Sequence, residues 1–82
     1  MASDLMVGDR ELLVVVGRRL SAAMALRGMG AAELSEKSGI NRQTIWRYQT
    51  GKSTQSLVIM AKLAEVLKVS LNHLAYGYGE KE

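Results

Sequence analysis

The 82-residue chain has no cysteine, no proline and only one histidine. Without thiols it can form neither a disulfide nor a thiolate zinc site, and a reducing compartment is favoured. The lone His73 has no Cys, Asp or Glu around it in a ligand pattern, so no metal site is expected. No glycine-rich phosphate loop is present either: Gly28-Met29-Gly30 is too short and follows a helical pattern rather than a strand. Ser35, Ser38 and Ser70 sit where helix surfaces and caps are expected, not where a base could activate them. These gaps argue against an enzyme and against any cofactor. No segment approaches the roughly 18 apolar residues of a membrane span. The run Leu12 to Val16 follows Asp9, Arg10 and Glu11 and lacks the layout of a signal peptide, so a cytoplasmic location is expected.

What remains is a single small domain. A 48% apolar content without proline points to a packed helical chain rather than a disordered one. The formal charge is only +3, but its distribution is uneven. No Asp or Glu lies between Glu36 and Glu65, a gap that holds Lys37, Arg42, Arg47, Lys52 and Lys62. Acids gather at the two ends: Asp4, Asp9 and Glu11 in front, Glu80 and Glu82 behind. A polyanion laid across the middle would suit this pattern, as would a solvated basic face with no partner.

Hydrophobic spacing and punctuation divide the chain into five helices. Residues 1–8 have no period and are expected to form a mobile arm. A first helix is predicted from Asp9, as N-cap, to Arg27, ended by Gly28 and Gly30, with Val16, Leu20, Ala23 and Met24 on one stripe. The β-branched Val14-Val15-Val16 would pass for a strand in isolation. With no partner strand elsewhere it is read as helical. A second helix is predicted from Ala31 to Lys37, and Gly39 supplies the left-handed residue after it. A third runs from Arg42 to Thr50, capped by Asn41 and stopped by Gly51. A fourth spans Leu57 to Leu67 behind Ser56, with Leu57, Met60, Ala61, Leu63, Ala64 and Leu67 at helical spacing. A fifth spans Leu71 to Tyr76 behind Ser70, and residues 78–82 form a tail. The domain proper is thus expected at 9–77.

The second and third helices are short and joined by a tight turn, with Leu34, Ile40, Ile45 and Tyr48 placed to clamp them together. Stepping about 100° per residue along the third helix puts Thr44, Ile45 and Tyr48 on one side and Arg42, Gln43, Trp46, Arg47 and Thr50 on the other. Arginine can donate twice to guanine, and glutamine can pair with adenine. Such a helix fits the DNA major groove, its first turn entering the groove. Thr44 is either a core-edge residue or a phosphate contact. Lys52 and Ser53 would sit near the sugar–phosphate backbone, with helix-start amides adding donors. Trp46 has four readings: a thymine methyl or sugar contact, packing over a neighbouring helix, a protein interface, or folding back over its own domain.

Gly39-Ile40-Asn41-Arg42-Gln43-Thr44-Ile45-Trp46-Arg47-Tyr48 with Gly51-Lys52, preceded by Glu33-Leu34-Ser35-Glu36-Lys37, resembles the Xre/Cro family of helix-turn-helix DNA-binding domains. Ser56-Leu57 through Ser70-Leu71 is similar to that family's fourth helix and the turn into its fifth. The resemblance covers about Val16 to Gly77. It implies an all-α, compact five-helix lambda-repressor-like fold with the helix-turn-helix at helices two and three. It also implies a transcriptional regulator that binds a double-stranded DNA operator, such as a phage Cro-like or immunity repressor, usually as a homodimer. Arg42, Gln43 and Arg47 match its base-reading positions, with Trp46 beside them. Asn41, Thr44, Thr50, Lys52 and Ser53 are the phosphate-contact candidates.

There are departures from the family. Many relatives carry an Arg in the first helix and a Glu late in the third, positions that fall on Met24 and Gln49 here. Gly30 and Ala31 replace a capping residue and a phosphate-binding Gln, and Gln55 takes a common proline position. With the chain ending soon after the fifth helix, a dimer is expected to use the small domain itself. The candidates are Leu12, Leu13 and Val15 (with Val14) in front, and Leu71, Leu74 and Tyr76 (with Val69 and Tyr78) behind; alternatively the front extension simply covers the core. The rival functional reading is an antitoxin or protein-interaction module on the same fold, with Trp46 and the Leu12–Val16 run as its partner surface.

Overall fold

The computed structural model describes the backbone of residues 2–77 and the side chains of residues 10–77. Five helices follow one another: α1 (Ala2–Leu26), α2 (Ala31–Ser38), α3 (Arg42–Thr50), α4 (Leu57–Leu67) and α5 (Leu71–Tyr76). The last four match expectation to within a residue. The first does not: α1 begins at Ala2, so residues 2–8 are helical, and Asp9 lies inside the helix instead of capping it. Helical backbone does not require an apolar face. Nothing in this stretch opposes a helix except Gly8, whose cost is about 1 kcal/mol. The expected tail, with Tyr78, lies outside the described residues.

The core draws Val16, Leu20, Ala23 and Met24 from α1 and Leu34 from α2. It also takes Ile45 and Tyr48 from α3, Met60, Leu63, Ala64 and Leu67 from α4, and Leu74 from α5. Leu20, Leu34, Ile45, Leu63, Leu67 and Leu74 are fully enclosed, and burying each contributes about 1.5–3 kcal/mol. Two of the expected α4 stripe residues, Leu57 and Ala61, are exposed instead. The β-branched run of α1 is helical, as expected, and Gly17 just after it explains how α1 meets α3. A Cβ at Gly17 would lie 2.4 Å from the Tyr48 carbonyl oxygen and 2.5 Å from that of Gln49. The last turn of α3 therefore rests directly on the α1 backbone.

Polar side chains tie the helix ends together. Gln55 donates through Nε2 to the carbonyls of Leu13 (3.1 Å) and Tyr48 (3.0 Å). The Tyr48 hydroxyl accepts from the Ser56 amide at 2.8 Å. The glutamine in the family's proline position thus anchors the α3–α4 loop to α1, a role its sequence position did not suggest. Met24 and Gln49, in place of the family's Arg and Glu, are placed differently. Met24 is buried in the core, while Gln49 Nε2 donates to the Ser21 hydroxyl at 3.0 Å. Ser21 lies three residues before Met24 and shares its helix face.

Two arginines close helix C-termini. Arg19 donates to the carbonyls of Ala75 (2.7 Å) and Leu74 (3.4 Å) at the end of α5. Arg27 donates to those of Leu67 (2.6 Å) and Lys68 (3.1 Å) at the end of α4. Both meet free carbonyls at the negative end of a helix dipole. The Arg27 contact matters because Lys68 is left-handed, with φ 63°, the one described non-glycine residue with positive φ. A Cβ there costs roughly 1–2 kcal/mol, and the guanidinium helps to hold the turn.

Candidate nucleic-acid interface

α2 and α3 form the helix-turn-helix. α2 ends at Gly39, left-handed at φ 78°, whose amide donates to the Ser35 carbonyl. That φ is open to glycine without penalty. The chain then turns through Ile40, whose amide donates to Ser38 Oγ at 3.1 Å. Asn41 caps α3, its Oδ1 accepting from the Gln43 amide at 2.7 Å. One cap atom is thereby used and the Asn41 Nδ2 hydrogens remain for another acceptor. Ile45 and Tyr48 fix the inner face of α3, and Ile40 packs against the same core.

The outer face holds Arg42, Gln43, Trp46, Arg47 and Thr50, all exposed. Among the described residues, no hydrogen bond or ion pair engages the side chains of Arg42, Gln43 or Arg47. Thr44 is half-buried at the flank, next to the core. Lys52 is exposed and Ser53 half-buried just beyond the helix. Thr50 departs from the role expected of it. Its Oγ1 donates to the carbonyls of Trp46 (2.9 Å) and Arg47 (3.3 Å), so the proton that a phosphate would take is committed to the last turn of α3. Trp46 is 51% exposed, so it does not fold back fully over its domain. The Lys52 ammonium lies 5.9 Å from its ring centroid, within cation–π range.

Amides supply further anion donors. Gly30 caps α2 without a side-chain bond, leaving first-turn amides of α2 open. At α4, Ser56 Oγ takes the Ile59 amide. Lys37 pairs with Glu33 at 3.6 Å along α2, a weak exposed pair that softens its charge.

The apolar dimer candidates divide. Leu12, Val15 and Tyr76 are exposed, and Leu13 and Leu71 half-buried. Leu74 is fully enclosed in the core and cannot meet a partner: it is the one α5 side chain that seals the domain. Leu57 and Val58, at the start of α4, add two exposed apolar residues that sequence spacing had not singled out for a surface. A groove of about 370 Å³ runs among Val16, Gln55, Leu57, Leu71 and Tyr76. It adjoins a hollow of about 290 Å³ beside Leu12 and Leu13. Elsewhere, His73 is half-buried, and among the described residues its Nδ1 finds no partner. Among the described residues no helix is long and apolar enough to cross a membrane.

An all-helical domain that presents a short polar helix behind a glycine turn defines a helix-turn-helix DNA-binding module. The chain belongs to the Cro/C1-type helix-turn-helix DNA-binding domain family, whose model matches residues 19–75. It is a binding domain and not an enzyme. Over 65 residues it is 38% identical to the HTH-type transcriptional regulator for conjugative element R391 of Providencia rettgeri, a match covering 79% of this chain and 30% of that protein. The same figures hold for the regulator of conjugative element SXT from Vibrio cholerae. The chain therefore spans less than a third of the length of these curated relatives. The crystal structure of the restriction-modification controller protein C.AhdI from Aeromonas hydrophila superposes with a TM-score of 0.73 at 31% identity, covering 76% of this chain and 94% of that one.

Proposed function

We propose that the chain is the operator-reading domain of a transcriptional regulator, a repressor of the phage Cro or immunity type or its counterpart on another mobile element. It works as a homodimer on DNA in the cytoplasm. The observation that carries this reading is the outer face of α3: Arg42, Gln43 and Arg47 stand exposed and unengaged in a stretch with no acid from 37 to 64. Arg42 and Arg47 are matched to guanine, Gln43 to adenine. Lys52, Ser53, Asn41 Nδ2 and the α2 amides set the register on the phosphates. The relatives named as transcriptional regulators of conjugative elements support the genetic setting.

Two copies related by a two-fold axis read half-sites about 34 Å apart, one turn of DNA. The domain measures 38 × 32 × 19 Å. Holding the two copies together requires a self-complementary contact between them. Leu12, Val15, Leu57 and Tyr76, with the groove between them, form the face for that contact.

Selection of bound sites from a random DNA pool, followed by titration at several salt concentrations, tests the reading. A recovered palindrome is expected, with affinity falling on the order of a thousandfold between 50 and 200 mM salt if about six phosphates are neutralised. A pool that never enriches, or an affinity indifferent to salt, refutes it.

A further inference from the structure

We propose that Trp46 reads the C5-methyl group of a thymine, from an apolar slot that it forms with Thr50 on the reading face of α3. The inference rests on α3 as the DNA-reading helix and adds a base that the polar residues do not cover. Arg42 and Arg47 are matched to guanine and Gln43 to adenine, yet the only apolar feature on any major-groove edge is the thymine methyl. The exposed face of α3 has two side chains that can meet an apolar group, Trp46 and Thr50. They are four residues apart and so adjacent on one side of the helix.

Thr50 is committed to this role by its own hydrogen bonds. Its hydroxyl donates back to the carbonyls of Trp46 and Arg47 at 2.9 and 3.3 Å. With its one proton spent inward it cannot donate to a phosphate, and its methyl is the apolar group it adds to this face. Trp46, 51% exposed, keeps half of a large apolar ring in water in the free domain. Lys52 lies over that ring at 5.9 Å. The ammonium takes one face, leaving the other face and the edge for a base, and it places a phosphate-seeking charge beside the ring. A ring set between a backbone-seeking cation and base-reading Arg42 and Gln43 lies where a thymine edge passes.

The test replaces single thymines of the selected site by deoxyuridine, which removes the methyl and nothing else. Affinities of the full chain are measured by fluorescence anisotropy. One position per half-site is expected to lose about fourfold on methyl removal, the value of one buried methyl-sized group. Trp46→Ala should bind the thymine and uracil sites equally at that position while still preferring the selected site elsewhere. Thr50→Ser, which keeps the hydroxyl and drops the methyl, should lose part of the discrimination. Unchanged melting temperatures separate these effects from misfolding. A site on which every thymine can be replaced without loss overturns the proposal, as does a discrimination that survives in Trp46→Ala. Either result would leave the DNA reading intact and move Trp46 to a sugar or protein contact. Failure to recover any site removes the DNA reading, and the methyl slot with it.

Discussion

Replacing Gly17 by alanine should destabilise the domain, although it adds only one methyl group. The added Cβ would lie 2.4 Å from the Tyr48 carbonyl oxygen, 2.5 Å from that of Gln49 and 2.8 Å from the Gln49 carbonyl carbon. Ordinary carbon–oxygen contacts begin near 3.3 Å, so α1 and α3 must part by close to about 1 Å. All three obstructing atoms are backbone, so no rotamer change relieves the clash. Overpacking of this kind costs about 1–3 kcal/mol. The upper end applies, because parting the helices also stretches the bonds of Gln55 to Leu13 and Tyr48 and of Gln49 to Ser21. Against this, alanine is better than glycine inside a helix by about 1 kcal/mol. The net loss is about 2 kcal/mol, a fall of roughly 8–16 °C in melting temperature for a domain of this size. Thermal melts followed by far-ultraviolet circular dichroism give the answer. Ala22→Gly, at an exposed α1 position, serves as control and should lose only the propensity term. If Gly17→Ala melts at or above the parent temperature, the close approach of the two helices is not what the geometry indicates.

Other perturbations isolate single terms. Lys68→Gly removes the only described non-glycine residue at positive φ and should stabilise by about 1 kcal/mol, seen as a melting point higher by about 5 °C; no rise would mean that the Arg27 contact already cancels the strain. Gly30→Ser places a side chain where a Cβ meets nothing within 4 Å and supplies the cap that α2 lacks. A gain of about 0.3 kcal/mol in urea unfolding is expected, because glycine is already a fair cap, and a loss would show that the extended Gly30 backbone cannot seat a serine. Arg42→Ala and Arg47→Ala should each cost about 1–3 kcal/mol of discrimination between operator and scrambled DNA with melting unchanged, since both are exposed. Competition binding in which both variants discriminate like the parent would place the reading face elsewhere.

The parts of the fold legible in the sequence are those whose causes are local. Asn41, Ser56 and Ser70 cap the helices that follow them, and the glycines 39, 51 and 77 stop the helices before them, each within a few residues of its effect. The inner face of α3 followed from helical spacing for the same reason. What escaped depends on partners far along the chain: Gln49 finds Ser21 28 residues away, Gln55 finds Leu13 42 away, and Arg27 finds Leu67 40 away. Gly17 carried no local signal, because its purpose is the absence of a side chain against α3. Leu57 and Leu74 were misassigned in opposite directions. Periodicity identifies an apolar stripe but not which end of it a neighbouring helix covers.

The same division bears on charge. The chain carries 11 Lys and Arg, but they do not act alike toward DNA. Arg19 and Arg27 are spent on the C-termini of α5 and α4, where they balance carbonyl dipoles inside the protein. Lys37 is shared with Glu33. Within the acid-free stretch this leaves Arg42, Arg47, Lys52 and Lys62, and the first three cluster at α3. Net charge therefore understates the local field at the reading helix, because no acid falls between residues 37 and 64. A count of basic residues overstates the number of phosphates the domain can hold. Removing Lys52 should flatten the salt dependence by about one contact per protomer, whereas removing Arg19 should alter stability and leave the slope alone. If Arg19→Ala flattened the slope as Lys52→Ala does, the arginine would face the polyanion, and its place against α5 would be wrong.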